Sequence, residues 1–220
     1  MLIDLNIEGK TIVIFGGGEE AEFKTVKFLD AGAKVALISR EFTKALQRLG
    51  RSGAIDLVDA DTSQYKELLR VYRSSVVIVS TGDPVLDSKI SAEARSLRQL
   101  VCVVDTPHLC DFNMPAIAKI GDIRVAISSG GMSPAMSSLL RKRIERTIKP
   151  EDILQVKLQS QLRLMMKKFI ESPSLRKKMV YKIISDGKIR TLLKQNQYAR
   201  AEARAEEMIR SDQPTFSSGV

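Results

Sequence analysis

The first half of the chain alternates short β-branched runs with segments of helical hydrophobic spacing. Strands are predicted at Thr11–Phe15 (TIVIF), Lys34–Ser39 (KVALIS), Ile55–Val58 (IDLV), Ser75–Ser80 (SVVIVS) and Leu100–Val104 (LVCVV). Between them, Glu41–Leu49 and Pro84–Leu97 fit crossover helices, and another helix opens after a glycine loop and runs to Gly32. Strand and helix in alternation build parallel βαβ units, so the pattern predicts an α/β fold with a doubly wound parallel sheet.

After Asp111 the rhythm changes. PAIAKIGDIRVAIS reads as two strands around a Gly121-Asp122 turn. Ser133-Pro134 has the chemistry of a helix start, an N-cap hydroxyl followed by proline at the first helical position. The helix that follows puts Met136, Leu140, Ile144 and Ile148 on one stripe, suited to cover a core or to meet a second copy of itself. From Glu151 onward the spacing is helical throughout, with breaks at Pro173 and Gly187, and Arg210–Val220 reads as a frayed tail.

Charge divides the chain at the same place. Residues 1–113 carry 14 Lys and Arg against 16 Asp and Glu, and the remainder carries 21 against 10, so a net of −2 gives way to +11. A basic C-terminal half suits a polyanionic partner, either nucleic acid or a small molecule with many carboxylates or phosphates; it also describes an ordinary solvated helix surface. Aromatic residues make up only 5% and tryptophan is absent, which leaves no evident stacking platform and speaks against nucleic acid. The N-terminal MLIDLNIEGK carries charges among its apolar residues and has no small-residue cleavage site. No later run approaches membrane-spanning length, so neither leader nor anchor is expected. Cys102 and Cys110 are too few for a disulfide framework or a closed structural zinc site, and the expected location is a reducing cytoplasm.

The stretch IFGGGEEAEFK (Ile14–Lys24) carries the first chemical signal. Gly16-x-Gly18-x-x-Ala21, between a strand and a helix, has the spacing of a dinucleotide-binding turn. Gly16 permits the tight turn, Gly18 lets the backbone approach a pyrophosphate, and Ala21 lets helix and sheet pack closely, while the anion rests on the helix N-terminal amides. Gly17 and Glu19 belong to the same cradle, and Thr81 of STGDPVLD (Ser80–Asp87) is assigned to the same nucleotide side. After the second strand, Glu41 can receive the ribose hydroxyls and favours NAD, whereas Arg40 can meet a 2′-phosphate and favours NADP. Glu19, Glu20 and Glu22 are awkward beside a pyrophosphate but suit the first turn's dipole.

Two further stretches are VVDTPHLCDFNMPA (Val103–Ala116) and SSGGMSPAMSSLLRKRIE (Ser128–Glu145). With the GGG loop after a strand, the VVD-P--CDF--PA stretch and the SSGG-SP turn leading into a helix, the chain resembles the NAD-dependent precorrin-2 dehydrogenases. Some members of that family are also sirohydrochlorin ferrochelatases, and some form the N-terminal module of siroheme synthase. ISDGKIRTLLKQNQYARAEARAEEMI (Ile184–Ile209) is similar to the family's small helical domain, so the resemblance covers essentially the whole chain. It implies a Rossmann-like doubly wound sheet (1–113), a small α+β dimerisation segment (114–149) and a C-terminal helical domain (150–220). It also implies a homodimer, NAD as cofactor, and oxidation of precorrin-2, a polycarboxylate tetrapyrrole, to sirohydrochlorin. In the chelatase members ferrous iron is a further substrate.

On this resemblance Asp105 is the catalytic residue. A carboxylate just past the carboxyl end of a parallel strand also lies where doubly wound sheets keep their ligands, and it can take a proton as hydride leaves; the plainer reading is a loop-capping aspartate. His108, the only histidine, can assist proton transfer or meet iron, or simply sit on the surface. His108 and Asn113 are assigned to the substrate side. Ser128, Ser129, Gly130, Gly131 and Ser133 form an anion-binding nest suited to a propionate or acetate, or an ordinary capped turn. Asp105, His108, Cys110 and Asp111 are too irregularly spaced for a resident metal, and none is expected. The chain departs from the family pattern at Glu20, Phe23, Gly82 and Asp87, all on the nucleotide side. Two other readings remain: a non-catalytic nucleotide- or tetrapyrrole-binding sensor with a basic nucleic-acid-binding helical domain, and a dehydrogenase for a different polyanion.

Overall fold

The computed structural model describes residues 2–211. Backbone packing divides the chain into two compact units, Met1–Met114 and Pro115–Val220. In the first, the strands β1 (Thr11–Phe15), β2 (Lys34–Ser39), β3 (Asp56–Asp59), β4 (Val76–Val79) and β5 (Leu100–Val103) form one parallel sheet in the order β3-β2-β1-β4-β5. Helices α1 (Glu19–Asp30), α2 (Lys44–Arg51), α3 (Tyr65–Tyr72) and α4 (Pro84–Ser96) make the crossovers.

Side chains alternate across a strand, and here both faces are covered. Ile12, Ile14, Val35, Leu37 and Ile78 pack with Ala21 and Phe28 of α1 and Leu46 of α2. Val13, Phe15, Ile38, Val77 and Val79 pack with Leu69 of α3 and Ile90 and Ala94 of α4. The doubly wound α/β sheet is as the sequence predicts. Three details differ from the sequence pattern. The edge strand β3 is shifted by one residue because its register follows Ala36↔Asp56 pairing on β2, with few buried side chains of its own to mark it. The second crossover helix starts at Lys44 rather than Glu41, since Thr43 caps it by accepting from the Leu46 N–H at 3.2 Å. Helix α3 escaped the sequence pattern: it is eight residues long, buries only Leu69, and follows a short 3₁₀ turn capped by Asp61.

The second unit opens with an antiparallel hairpin, β6 (Ala116–Ile120) and β7 (Ile123–Ile127), around the expected Gly121-Asp122 turn. Gly121 has φ +57°, and a Cβ there would meet Ile153 Cγ2 at 2.7 Å, so turn geometry and close approach both select glycine. Helix α5 (Pro134–Thr147) starts as predicted, with Ser133 Oγ accepting from the Met136 N–H at 3.2 Å and Pro134 in the first turn. Helices α6 (Pro150–Phe169), α7 (Pro173–Ser185), α8 (Gly187–Lys194) and α9 (Tyr198–Ser211) follow. Their core is built from residues spaced by four, among them Leu158, Leu162 and Met166 on α6 and Ala201, Ala205 and Ile209 on α9. Of the expected tail, Arg210 and Ser211 complete α9, and residues 212–220 lie outside the described residues.

Asp186 ties α8 to α9. It caps α8 by accepting from the Ile189 N–H at 2.8 Å, and it accepts from Arg204 Nε at 2.9 Å and Nη2 at 2.6 Å on α9. The Arg204 hydrogen bonds, helped by the Ile189 amide and opposed by burial, hold this carboxyl at about 2 against an ordinary 3.8. A depressed folded-state pKa means stability that is present above the unfolded value and is lost as pH falls from about 4 through about 2. Asp186→Asn is therefore expected to cost about 2 kcal/mol near neutrality. Thermal melts of both proteins should converge as pH approaches 2; a constant gap would assign the effect to something other than ionisation.

Candidate active site

The strand order reverses between β1 and β4, and in open α/β sheets ligands bind beyond the carboxyl ends of strands at such a switch point. Register places the relevant residues there. Phe15 pairs with Val79 and Val79 with Val103, and the ladder continues one residue further, with Ser80 N–H donating to Phe15 O at 2.8 Å and Val104 N–H to Val79 O at 2.9 Å. Just beyond that ladder come Gly17, Thr81 and Asp105, in the segments that leave the carboxyl ends of β1, β4 and β5. Strands β1 and β5 are two strand spacings, about 10 Å, apart.

The glycine loop is shaped by close approach. Gly16 has φ +122°, and a Cβ on it would lie 2.1 Å from Ser80 O; on Gly17 it would lie 1.9 Å from Glu41 O. On Gly18 it would meet nothing within 4 Å. No side chain caps Gly18, and the first bond of α1 runs from the Glu22 N–H to Gly18 O at 3.0 Å. The amides of Glu19, Glu20 and Ala21 consequently have no partner among the described residues. An open glycine beside free helix N-terminal amides is a pyrophosphate cradle, and Ala21, fully buried, gives the close helix–sheet contact. Of the three glutamates, Glu22 turns away and accepts from Thr43 Oγ1 at 2.6 Å. Glu19 and Glu20 are exposed.

The loop after β2 turns back on this cradle: Thr43 N–H donates to Gly17 O at 3.0 Å, and the Glu41 carbonyl presses on Gly17. That holds Glu41, an exposed residue, beside the glycine loop, on the side where the ribose lies in such folds. Arg40 leans toward Asp59 at 3.8 Å, an exposed and weak pair. The donor set thus fits a dinucleotide with free ribose hydroxyls, NAD.

Thr81 is fixed by a residue that sequence reasoning noted only as a departure. Asp87, buried in the first turn of α4, accepts from the Thr81 hydroxyl at 2.5 Å and from its N–H at 3.3 Å. Phe23, another departure, is exposed on α1 with the Lys27 ammonium 4.1 Å from its ring centroid. Burial, and after it the Lys24 charge, lower the Lys27 pKa, with Glu20 opposing.

Asp105 is exposed, has φ +60°, and its side chain has no hydrogen-bond or ion-pair partner among the described residues. A non-glycine residue in the left-handed region costs about 1 kcal/mol, so the surrounding structure must hold it there. Cys110 does so. Its Sγ accepts from the Val103 N–H at 3.2 Å and donates toward Val103 O at 3.2 Å, closing the loop that carries Asp105. Asp111 pins the far end, accepting from Val101 N–H at 2.9 Å and Arg95 Nε at 2.8 Å. Cys102 lies 4.0 Å from Cys110, sulfur to sulfur, both free thiols; burial, then Cys110, pushes the Cys102 thiol up to about 12. His108 sits exposed on the 3₁₀ turn Pro107–Leu109 and Asn113 is exposed four residues past it. Among the described residues no group of three or more His, Cys, Asp and Glu could hold a metal ion.

In the second unit, the Ser128–Ser133 turn satisfies much of its own backbone. Ser128 Oγ accepts from the Gly130 N–H at 3.1 Å and Ser129 Oγ from the Ser133 N–H at 2.9 Å. Among the groups this leaves to an anion are the three hydroxyl protons and the Gly131 amide, between two glycines at φ +63° and +85°.

Comparison with known proteins bears on the family and the fold. Residues 3–116 match the family model described as putative NAD(P)-binding, and residues 121–147 match the central segment of sirohaem biosynthesis proteins. A precorrin-2 dehydrogenase of Methanosarcina barkeri is 35% identical over 210 residues, which covers 94% of this chain and 92% of that protein. A siroheme synthase of Actinobacillus pleuropneumoniae is 27% identical over 97% of this chain, which spans 43% of that longer protein. The solved structure of SirC, a precorrin-2 dehydrogenase, superposes with a TM-score of 0.71 over 93% of this chain and 99% of its own, at 18% identity, and so shares the fold. By its sequence over nearly the full length of both proteins, the chain belongs to the precorrin-2 dehydrogenase family.

Proposed function

We propose that the chain oxidises precorrin-2 to sirohydrochlorin in siroheme biosynthesis, with NAD as the electron acceptor. The observation that carries this is the position of Asp105: an unpartnered, exposed carboxylate held at φ +60°, level with the glycine loop along one sheet edge. When bound, NAD accepts the hydride. Asp105 takes the accompanying proton, so two electrons and two protons leave the tetrapyrrole. Gly16, Gly17, Gly18, Glu19 and Ala21 hold the pyrophosphate, Glu41 the ribose, and Thr81, oriented by Asp87, lines the approach between cradle and base. His108 and Asn113 meet substrate; in the second unit, taken by itself, the Ser128–Ser133 turn offers its hydroxyls to a carboxylate. Purified protein given precorrin-2 and NAD should produce the sirohydrochlorin spectrum with a matching rise in NADH. No turnover, with NAD bound, would overturn the assignment. The same assay with ferrous iron tests insertion to siroheme, for which Asp105 and His108 are the exposed groups able to accept pyrrole protons.

The chain pairs with a second copy through α5. Met136, Leu139 and Leu140 on that helix are 45%, 42% and 38% exposed, and Met132 before it is 88% exposed. An apolar stripe of this kind suits an isologous contact. Light scattering should give a dimer, and Met136→Glu with Leu140→Glu a folded monomer; a wild-type monomer at working concentration would refute the pairing. Among the described residues no helix is long and apolar enough to cross a membrane. With both cysteines as thiols, a reducing cytoplasmic location is the consistent one.

A further inference from the structure

A groove of about 470 Å³ lies between α6 and α7, entirely within the second unit and apart from every residue assigned above. Arg163 and Lys167, one turn apart on α6, face Arg176 and Lys177 in the opening turns of α7. No aspartate or glutamate lines it. Arg163, Lys167 and Lys177 have no carboxylate partner among the described residues. Arg176 is held in place by donating Nη1 to Ile170 O at 2.7 Å and Glu171 O at 2.6 Å, which staples the α6–α7 connection.

Two more observations sharpen this from a basic surface into a site. Helix α7 has no side-chain cap and no acid in its first turn, so its positive end adds to the four cations. On the groove wall, Gln159 has both Nε2 and Oε1 buried without a hydrogen-bond partner among the described residues. Like charges one turn apart repel, and a ligand bearing several oxyanions relieves this by accepting from the cations.

We propose that the α6–α7 groove is a second binding site, for a small multivalent oxyanion. Polycarboxylates and polyphosphates share this chemistry, and two probes separate them: mellitate, a benzene hexacarboxylate, and inorganic tripolyphosphate. Calorimetric titration of the full chain at physiological salt should show binding of at least one. The triple variant Arg163→Gln, Lys167→Gln, Lys177→Gln, all at exposed positions, should weaken that binding at least tenfold. A charge-matched control, Lys168→Gln, Lys188→Gln, Lys194→Gln, removes three exposed lysines outside the groove and should bind like wild type. Gln159→Leu, which removes a buried unpartnered carboxamide, should keep or raise the melting temperature and leave anion binding near wild type. Preference for mellitate names a polycarboxylate ligand, and preference for tripolyphosphate a polyphosphate. No binding of either probe, or equal loss in the groove and control variants, would overturn the proposal by reducing it to diffuse charge. Precorrin-2 turnover is read separately and should be unchanged in all these variants, so failure here is distinct from failure of the functional reading.

Discussion

Asp105→Asn is expected to lower kcat by roughly 10²–10⁴-fold, the usual contribution of a positioned general base, while leaving NAD affinity near wild type. Asparagine has the same shape and is among the residues that best tolerate the left-handed region, so the loop at φ +60° keeps its conformation and the melting temperature should not fall. The substitution thereby separates charge from fold. Were Asp105 only a loop cap, its side chain would have a backbone partner to lose; it has none among the described residues, and the loop is held instead by Cys110 and Asp111. Near-normal kcat in the variant would assign proton removal to another group, and with it the reading of the whole sheet edge would fail.

The second large effect is a contrast within the glycine loop. Gly17→Ala puts a methyl group 1.9 Å from the Glu41 carbonyl oxygen, and Gly16→Ala puts one 2.1 Å from that of Ser80, at φ +122° besides. Both neighbours are backbone and cannot swing aside. Overpacking of this kind costs about 2 kcal/mol or more, so either variant should melt at least about 4–8 °C below wild type, or fail to fold. Gly18→Ala meets nothing, and its φ of −82° suits any residue, so the melting temperature should hold. Its methyl group instead occupies the approach of the pyrophosphate, and KM for NAD should rise about tenfold, the equivalent of about 1.4 kcal/mol. Equal effects of Gly17→Ala and Gly18→Ala on stability would show that the loop is not built as described.

Much of the fold was legible because burial on both faces writes itself into composition. Strands β1, β2, β6 and β7 fall where the β-branched runs put them, and Ser133-Pro134 starts α5 as its chemistry requires. The edge strand β3 and the short α3 were less readable, since neither buries enough side chains to impose a period. The dinucleotide turn and the candidacy of Asp105 were legible in short strings. Their physical reasons were only partly so: Gly17 is fixed by the Glu41 carbonyl and Gly16 by Ser80, residues distant in sequence. Asp87, seen in the chain as an oddity, is the buried acceptor that orients Thr81.

The sequence by itself determined the order of elements, the glycine spacing, the concentration of positive charge after residue 113 and the family the chain resembles. Those properties are local, set by side-chain period, turn chemistry and composition. Tertiary structure alone decided that Gly17, Thr81 and Asp105 share one edge, that Asp105 stands strained and without a partner, and that two basic helix faces meet around Gln159. Each of these depends on strand register or helix pairing between residues far apart in the chain, and no pattern along a single strand or helix encodes it.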